Sequence, residues 1–253
     1  MSSRTAVVTG AGSGLGRAIA EALAKHGLRV LLLGRDAGKL HTAVDDITAS
    51  GGSARAVRCD VSDPASVARA ADETAKEDVS VVVNNAGIPG PVASLTDVEP
   101  AEWDEVFAVN VRGVYLVCRA YLPRMIEHRC GDIINIASVS GKRPLAGRTP
   151  YTASKMAVIG LTTTLASEVG GYGVSVNSLS PGPVRGPRME RNFRLESLRL
   201  GITAAEAEER LIGRAALGRM VEESEVAAAV IAMLQMPGLS AADIDLSAGM
   251  AAR

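Results

Sequence analysis

The chain has 253 residues, 47% hydrophobic but only 3% aromatic, so a large core is within reach and must be built from Val, Leu, Ile and Ala. That palette suits a parallel sheet whose strands are buried on both faces by helices. With 27 basic and 28 acidic residues the net charge is −1, which argues against general affinity for nucleic acid or anionic membrane.

Short apolar runs predict strands at residues 5–9, 29–33, 54–59, 79–84, 132–137, 174–179 and 243–247. The stretches between them carry apolar residues at three- and four-residue spacing, as in Leu15, Ile19, Ala22 and Leu23, or Val106, Val109, Gly113, Leu116 and Val117. Such alternation predicts an α/β fold with a parallel sheet and right-handed crossovers. No repeat or interdomain linker interrupts it, so one domain spanning 1–253 is expected. Only 182–218, rich in Pro, Gly and Arg, reads as irregular, an insertion near the ligand edge. Cys59, Cys118 and Cys130 are odd in number and form no CxxC pair, which fits a reducing compartment and no zinc site. The opening MSSRTAVVTGAG has too short an apolar run for a secretion signal, and no stretch reaches the roughly 18 apolar residues of a membrane span. A cytoplasmic location follows as an expectation. His26, His41 and His128 lack partners at ligand spacing and read as surface residues; Trp103, Met220, Met233 and Met236 read as packing.

The first strand runs directly into Gly10-Ala11-Gly12-Ser13-Gly14-Leu15-Gly16 and then an Ala-rich helix. Glycines there let the backbone turn tightly and approach a pyrophosphate seated on free N–H groups at the helix N-terminus. An ordinary glycine turn has the same composition, but its place at the start of an α/β alternation points to a dinucleotide site. At the end of the second strand stands Gly34-Arg35-Asp36. An acidic residue would bond a ribose 2′-OH and an arginine a 2′-phosphate, so Arg35 favours NADP(H) over NAD(H), with Asp36 read as a helix cap.

Tyr151 and Lys155 are four residues apart, hence on one face of a helix that Pro150 is suited to start. A neighbouring ammonium lowers a phenol's pKa from about 10 toward the range of a general acid/base. Ser138 follows the apolar run 133–137, at the strand end where α/β ligand sites form, and its hydroxyl is placed to stabilise a developing alkoxide.

Thr9-Gly10…Gly14-Leu15-Gly16, Asn84-Asn85-Ala86-Gly87, Asn110, Ser138 with Tyr151-Thr152-Ala153-Ser154-Lys155, and Pro181-Gly182 occur in an order and spacing that resembles the short-chain dehydrogenase/reductases over nearly the whole chain. The resemblance implies a Rossmann-type, doubly wound, seven-stranded parallel sheet with helices on both faces. It implies an NAD(P)-dependent oxidoreductase interconverting a carbonyl and a secondary alcohol of a small molecule, with Asn110, Ser138, Tyr151 and Lys155 as the catalytic set. Gly10, Ser13, Gly14, Leu15 and Gly16 are then cofactor contacts. Arg35, Asp60 and Val61, Asn84, Ala86 and Gly87, and Pro181, Gly182 and Val184 join them, with Tyr151 and Lys155 also touching the cofactor. By the same resemblance 182–218 covers the substrate, and helices at 101–127 and 151–169 join subunits into a tetramer or dimer. Two other readings stay open: a non-catalytic dinucleotide-binding regulator, and a nucleotide-sugar epimerase or dehydratase, which needs a further C-terminal domain. The arginines of 182–218 read first as a solvated helix face held in ion pairs, since three-residue spacing spreads them around a helix; the alternative is that Arg185 or Arg188, nearest Pro181-Gly182, reads an acidic group on the substrate.

Overall fold

In the first strand, β1 (Thr5–Thr9), five consecutive residues are buried, so both faces of the ribbon must be covered. The computed structural model of the chain describes residues 4–250, and the first three residues of the N-terminal stretch read above lie outside them. Six further strands follow: β2 (Arg29–Gly34), β3 (Ser53–Arg58), β4 (Val79–Asn84), β5 (Gly131–Ile136), β6 (Val174–Pro181) and β7 (Asp243–Leu246). All pairings are parallel, in the order β3-β2-β1-β4-β5-β6-β7. The predicted runs therefore coincide with these strands to within a residue or two at their ends.

Alternation along each strand sorts the helices. Ala6, Val8, Val30, Leu32, Val81 and Val83 point to one face, where α1 (Gly14–Lys25), α2 (Ala37–Ala49) and α9 (Glu223–Leu234) bring Ile19, Leu23, Leu40, Ile47, Val226 and Val230. Val7, Leu31, Leu33, Val82 and Ile133 point to the other, against α3 (Pro64–Glu73), α5 (Gly113–His128) and α6 (Thr149–Val169). Each such side chain, fully buried, contributes roughly 1.5–3 kcal/mol of transfer free energy. The result is a doubly wound, Rossmann-type sheet, as expected.

The chain leaves β1 toward β2 on one side and, after β3, crosses to β4 on the other. A crevice therefore opens beyond the C-terminal ends of β1 and β4, the usual ligand position in open α/β sheets. Between α4 (Pro100–Phe107) and α5 the helix widens into one π turn, Ala108–Arg112, centred on Asn110. Such turns recur at functional sites.

Segment 182–218 is more regular than its composition suggested. It forms α7 (Pro187–Leu200) and α8 (Ala204–Ile212), which share a small core of Phe193, Ala207 and Met220. Pro187 sits in the first turn of α7 and Gly201 ends it at φ +66, so the residues read as interruptions mark helix termini. Met220 and Met233 are buried, but Met236 is exposed just past the end of α9, against expectation. Trp103 stacks on Phe107 at 4.8 Å. The three histidines are exposed.

Candidate active site

A cavity of about 760 Å³ runs along the C-terminal ends of the strands, from the glycine turn after β1 to the space beneath α7 and α8. At the end beside β1 the turn requires its glycines. Gly10 and Gly14 have φ of +66 and +54, where side chains are strained. A Cβ on Gly16 would fall 2.8 Å from the Gly10 carbonyl carbon and overlap its oxygen. Helix α1 starts here with Ser13 extended at its N-cap; that side chain makes no capping bond, and the first turn holds no acidic residue. N–H groups of that turn are thus left for an anion at the cavity wall.

The ends of β1 and β4 are tied together. Asn85 and Ala86 donate backbone N–H bonds to Thr9 Oγ1 at 3.0 and 2.9 Å, and Asn85 Nδ2 donates to the Thr9 carbonyl at 3.0 Å. Gly10, Ser13, Gly14, Leu15, Gly16, Arg35, Asp60, Val61, Ala86, Gly87, Pro181, Gly182 and Val184 all line the cavity. Asn84, expected beside them, does not. Its side chain lies between the sheet and α5, donating to Asn135 Oδ1 at 2.8 Å and to Cys118 Sγ at 3.3 Å. Successive residues at a strand end point to opposite faces, so Asn85 takes the wall position instead.

Asp36, which also lines the cavity, accepts from the Lys39 N–H at 3.1 Å as N-cap of α2, and its other oxygen lies 3.8 Å from Lys39 Nζ. Arg35 and Lys39 both line the cavity beside Gly34, and sequence reasoning had passed over Lys39 as a helix residue. Burial acts to raise the Asp60 carboxyl, but bonds from the Ser62 N–H and hydroxyl and the nearby Arg35 charge hold it below the usual range.

Midway along the cavity, Tyr151 and Lys155 project from one face of α6, with Lys155 Nζ 5.8 Å from the phenol ring centroid. Lys155 is 5% exposed and donates to the Ile136 carbonyl at 2.7 Å. Burial alone would raise the Tyr151 phenol; the charges of Lys155 and Arg188, a hydrogen bond with Ser138, and Arg148 outweigh it and hold the phenol below its ordinary value. Burial likewise lowers Lys155, and Arg188 adds to that while Tyr151 opposes it. Ser138 stands at the end of β5, its Oγ accepting from the Ser140 N–H at 3.1 Å.

Asn110 does not line the cavity. Fully buried in the π turn, it accepts from the Ile88 N–H at 2.8 Å and donates to the Ile88 carbonyl and Ser154 Oγ, each at 3.0 Å. It clamps the loop after β4 to α6, one turn from Tyr151.

The family profile described as short chain dehydrogenase matches residues 4–197. The chain belongs to the short-chain dehydrogenase family.

Named relatives agree. A 2-(R)-hydroxypropyl-CoM dehydrogenase of Xanthobacter autotrophicus is 42% identical over 73% of this chain and 76% of its own. A D-threitol dehydrogenase of Mycolicibacterium smegmatis is 38% identical over 70% of this chain and 69% of its own. Among solved structures, an actinorhodin polyketide ketoreductase with NADPH superposes with TM-score 0.94 at 32% identity, covering 99% of this chain and 98% of that one. An NAD+-bound xylitol dehydrogenase superposes with TM-score 0.92 at 28% identity, covering 96% and 97%. Like its relatives, this short-chain dehydrogenase is an NAD(P)-dependent oxidoreductase acting on CH–OH and C=O groups of small molecules. Nothing among them favours a non-catalytic regulator.

On the substrate side of this dehydrogenase stands Arg148, to which sequence reasoning gave no role of its own. Its guanidinium lies 5.4 Å from the Tyr151 ring centroid, and it donates to the Pro89 carbonyl at 3.3 Å. Arg185, one of the two arginines weighed as readers of an acidic substrate, is exposed and held by Glu222 at 3.0 Å with Glu208 at 4.0 Å. Arg188, the other, reaches across to the Gly87 carbonyl at 2.6 Å. Among the described residues no group of three His, Cys, Asp or Glu side chains is arranged to hold a metal.

Proposed function

We propose that this chain is an NADPH-preferring carbonyl reductase, reversible as a secondary-alcohol dehydrogenase, with Tyr151 as its general acid/base. The observation that carries this reading is the gathering of Tyr151, Ser138 and buried Lys155 midway along the cavity, with Lys155 Nζ 5.8 Å from the phenol ring centroid. A bound nicotinamide dinucleotide supplies or accepts the hydride. Tyr151 gives its proton to the carbonyl oxygen in reduction and takes it back in oxidation. Ser138 holds that oxygen and stabilises developing alkoxide charge. Lys155 keeps the phenol acidic and holds the nicotinamide ribose, while Asn110 acts through others, fixing the loop after β4 against α6.

The glycine turn with Ser13 and Leu15 takes the pyrophosphate, Asp60 and Val61 the adenine, Ala86 and Gly87 the adjoining ribose, and Pro181, Gly182 and Val184 the nicotinamide. Arg35 and Lys39, with Asp36 serving as the cap of α2, favour a 2′-phosphate and hence NADP(H). The chain works as one domain, with α7 and α8 as a cover over the substrate. Exposed Tyr115 on α5 and Met156 on α6 support subunit contacts through these helices, giving a tetramer or dimer. Three free cysteines support a reducing, cytoplasmic setting, and no helix among the described residues is long and apolar enough to cross a membrane. A screen of ketones and alcohols with both cofactors, followed by nicotinamide absorbance, tests the reading. It predicts turnover with NADPH above NADH, and no turnover of any pair would refute it.

A further inference from the structure

Beyond Tyr151 the cavity is lined by more arginine charge than its carboxylates can balance. Arg143, Arg148, Arg188, Arg210 and Arg214 line its substrate half, against Glu196 and Glu223. Glu196, whose charge reaches Arg148, is shared with another arginine. Arg199 holds Glu196 through two bonds of 2.6 and 2.9 Å. Glu223 lies on the opposite wall, where its Oε1 stands 3.4 Å from the Cβ position of Gly14 and 3.5 Å from that of Gly186.

Two of these arginines converge on the reacting residue. Arg148 leans over the Tyr151 ring at 5.4 Å, and the charge of Arg188 acts on both Tyr151 and Lys155. They enter from different elements, Arg148 from the N-cap of α6 and Arg188 from the first turn of α7. Each donates one bond to a backbone carbonyl of the loop after β4, Arg188 to Gly87 and Arg148 to Pro89. That anchors the guanidinium groups and leaves most of their five N–H donors unspent. Neither forms an ion pair among the described residues. Arg148 is also half-buried, and burial weighs against its charge. Arg148, partly desolvated and repelled by Arg191 and Arg188, is relieved when an anion joins it, and two planar donor forks, the second on exposed Arg188, suit an oxyanion.

We propose that Arg148 and Arg188 form the anion-reading subsite of this enzyme, and that its substrate is a compact oxo or hydroxy acid whose acidic group lies a few bonds from the reacting carbon. This rests on the oxidoreductase reading and names its substrate class. Arg185 is excluded from the subsite by its glutamate partners, which leaves Arg188 of the two arginines weighed from sequence. Reduction consumes the oxo acid, the nicotinamide hydride and the Tyr151 proton, and yields the hydroxy acid and oxidised cofactor.

Two measurements test it. The first compares acetoacetate with methyl acetoacetate under NADPH for wild type, Arg148→Leu and Arg188→Gln. The acid is expected to exceed the ester in kcat/KM, and each substitution to lower that acid-over-ester ratio by about ten- to hundred-fold, the loss of one or two charge-assisted bonds. An ester turned over as well as the acid, or a ratio unmoved by either substitution, overturns the proposal. The second needs no turnover: calorimetric titration of malonate into each protein with NADP bound. Wild type is expected to bind malonate and both variants at least about ten-fold more weakly. Absence of malonate binding by wild type overturns the anion subsite even if neutral ketones are reduced. Malonate binding without reduction of any carbonyl compound would instead count against the oxidoreductase reading.

Discussion

The two ends of the cavity are built on different terms. At the cofactor end the walls are backbone: a glycine turn, a helix N-terminus and a loop tied to β1 by three bonds to Thr9. At the substrate end the walls are long side chains on α7, α8 and the residues before α6, with arginines anchored on carbonyl oxygens. Backbone walls demand particular residues at particular positions, so the cofactor end is specific and leaves little room for change. Side-chain walls are set by tertiary contacts and can be altered singly.

Breaking the boundary between the two ends should have the largest effect. Tyr151→Phe keeps the ring and removes the proton, so kcat should fall about 10²- to 10⁴-fold while fluorescence titration finds NADPH affinity nearly unchanged. A substitution at the cofactor end acts on the fold itself. Gly16→Ala forces a methyl against Gly10 and Asn85, with an expected cost of roughly 1–3 kcal/mol in urea unfolding; an unaltered midpoint would mean that the turn is looser than described. Cofactor choice should respond next. Arg35→Gln with Gly34→Asp should lower the NADPH-to-NADH ratio of kcat/KM by about ten-fold or more, whereas a wild type that already prefers NADH contradicts the reading of β2.

The smallest effect sharpens the electrostatics. Because Arg188 helps hold the Tyr151 phenol below its ordinary value against burial, Arg188→Gln should raise it. Alcohol oxidation needs the phenolate, so its pH–rate profile should move to higher pH, and reduction should persist to higher pH. A profile that stays in place or moves to lower pH would remove Arg188 from the field at Tyr151.

How much of this was legible in the sequence follows the same division. The strands of the cofactor end were readable because a parallel strand buried on both faces must be a short apolar run, and the glycines because glycine takes up φ near +60, as at Gly10 and Gly14, without strain. That Tyr151 and Lys155 share a helix face followed from their spacing, and their role as a pair from the motif's resemblance to the family. Local pattern could not say which of Asn84 and Asn85 faces the cavity, since that depends on where β4 ends. Nor could it locate the π turn at Asn110, which is a matter of how one helix meets another. Helices α7 and α8 hid behind Pro187 and Gly201, helix-end signals that read as irregularity when their partners are unknown. Arg148 was given no role of its own because its meaning lies in nearness to Tyr151, three residues away in sequence but set by the turn that starts α6.

The central claim is that this site exchanges a hydride with a carbonyl carbon while Tyr151 handles the proton. Its most direct test uses NADPH deuterated at the nicotinamide C4 position and mass spectrometry of the alcohol formed from a reducible ketone or oxo acid. The account predicts one deuterium at the carbinol carbon with wild type and almost no labelled alcohol with Tyr151→Phe. Alcohol formed without the label, or labelled equally well by Tyr151→Phe, would contradict it.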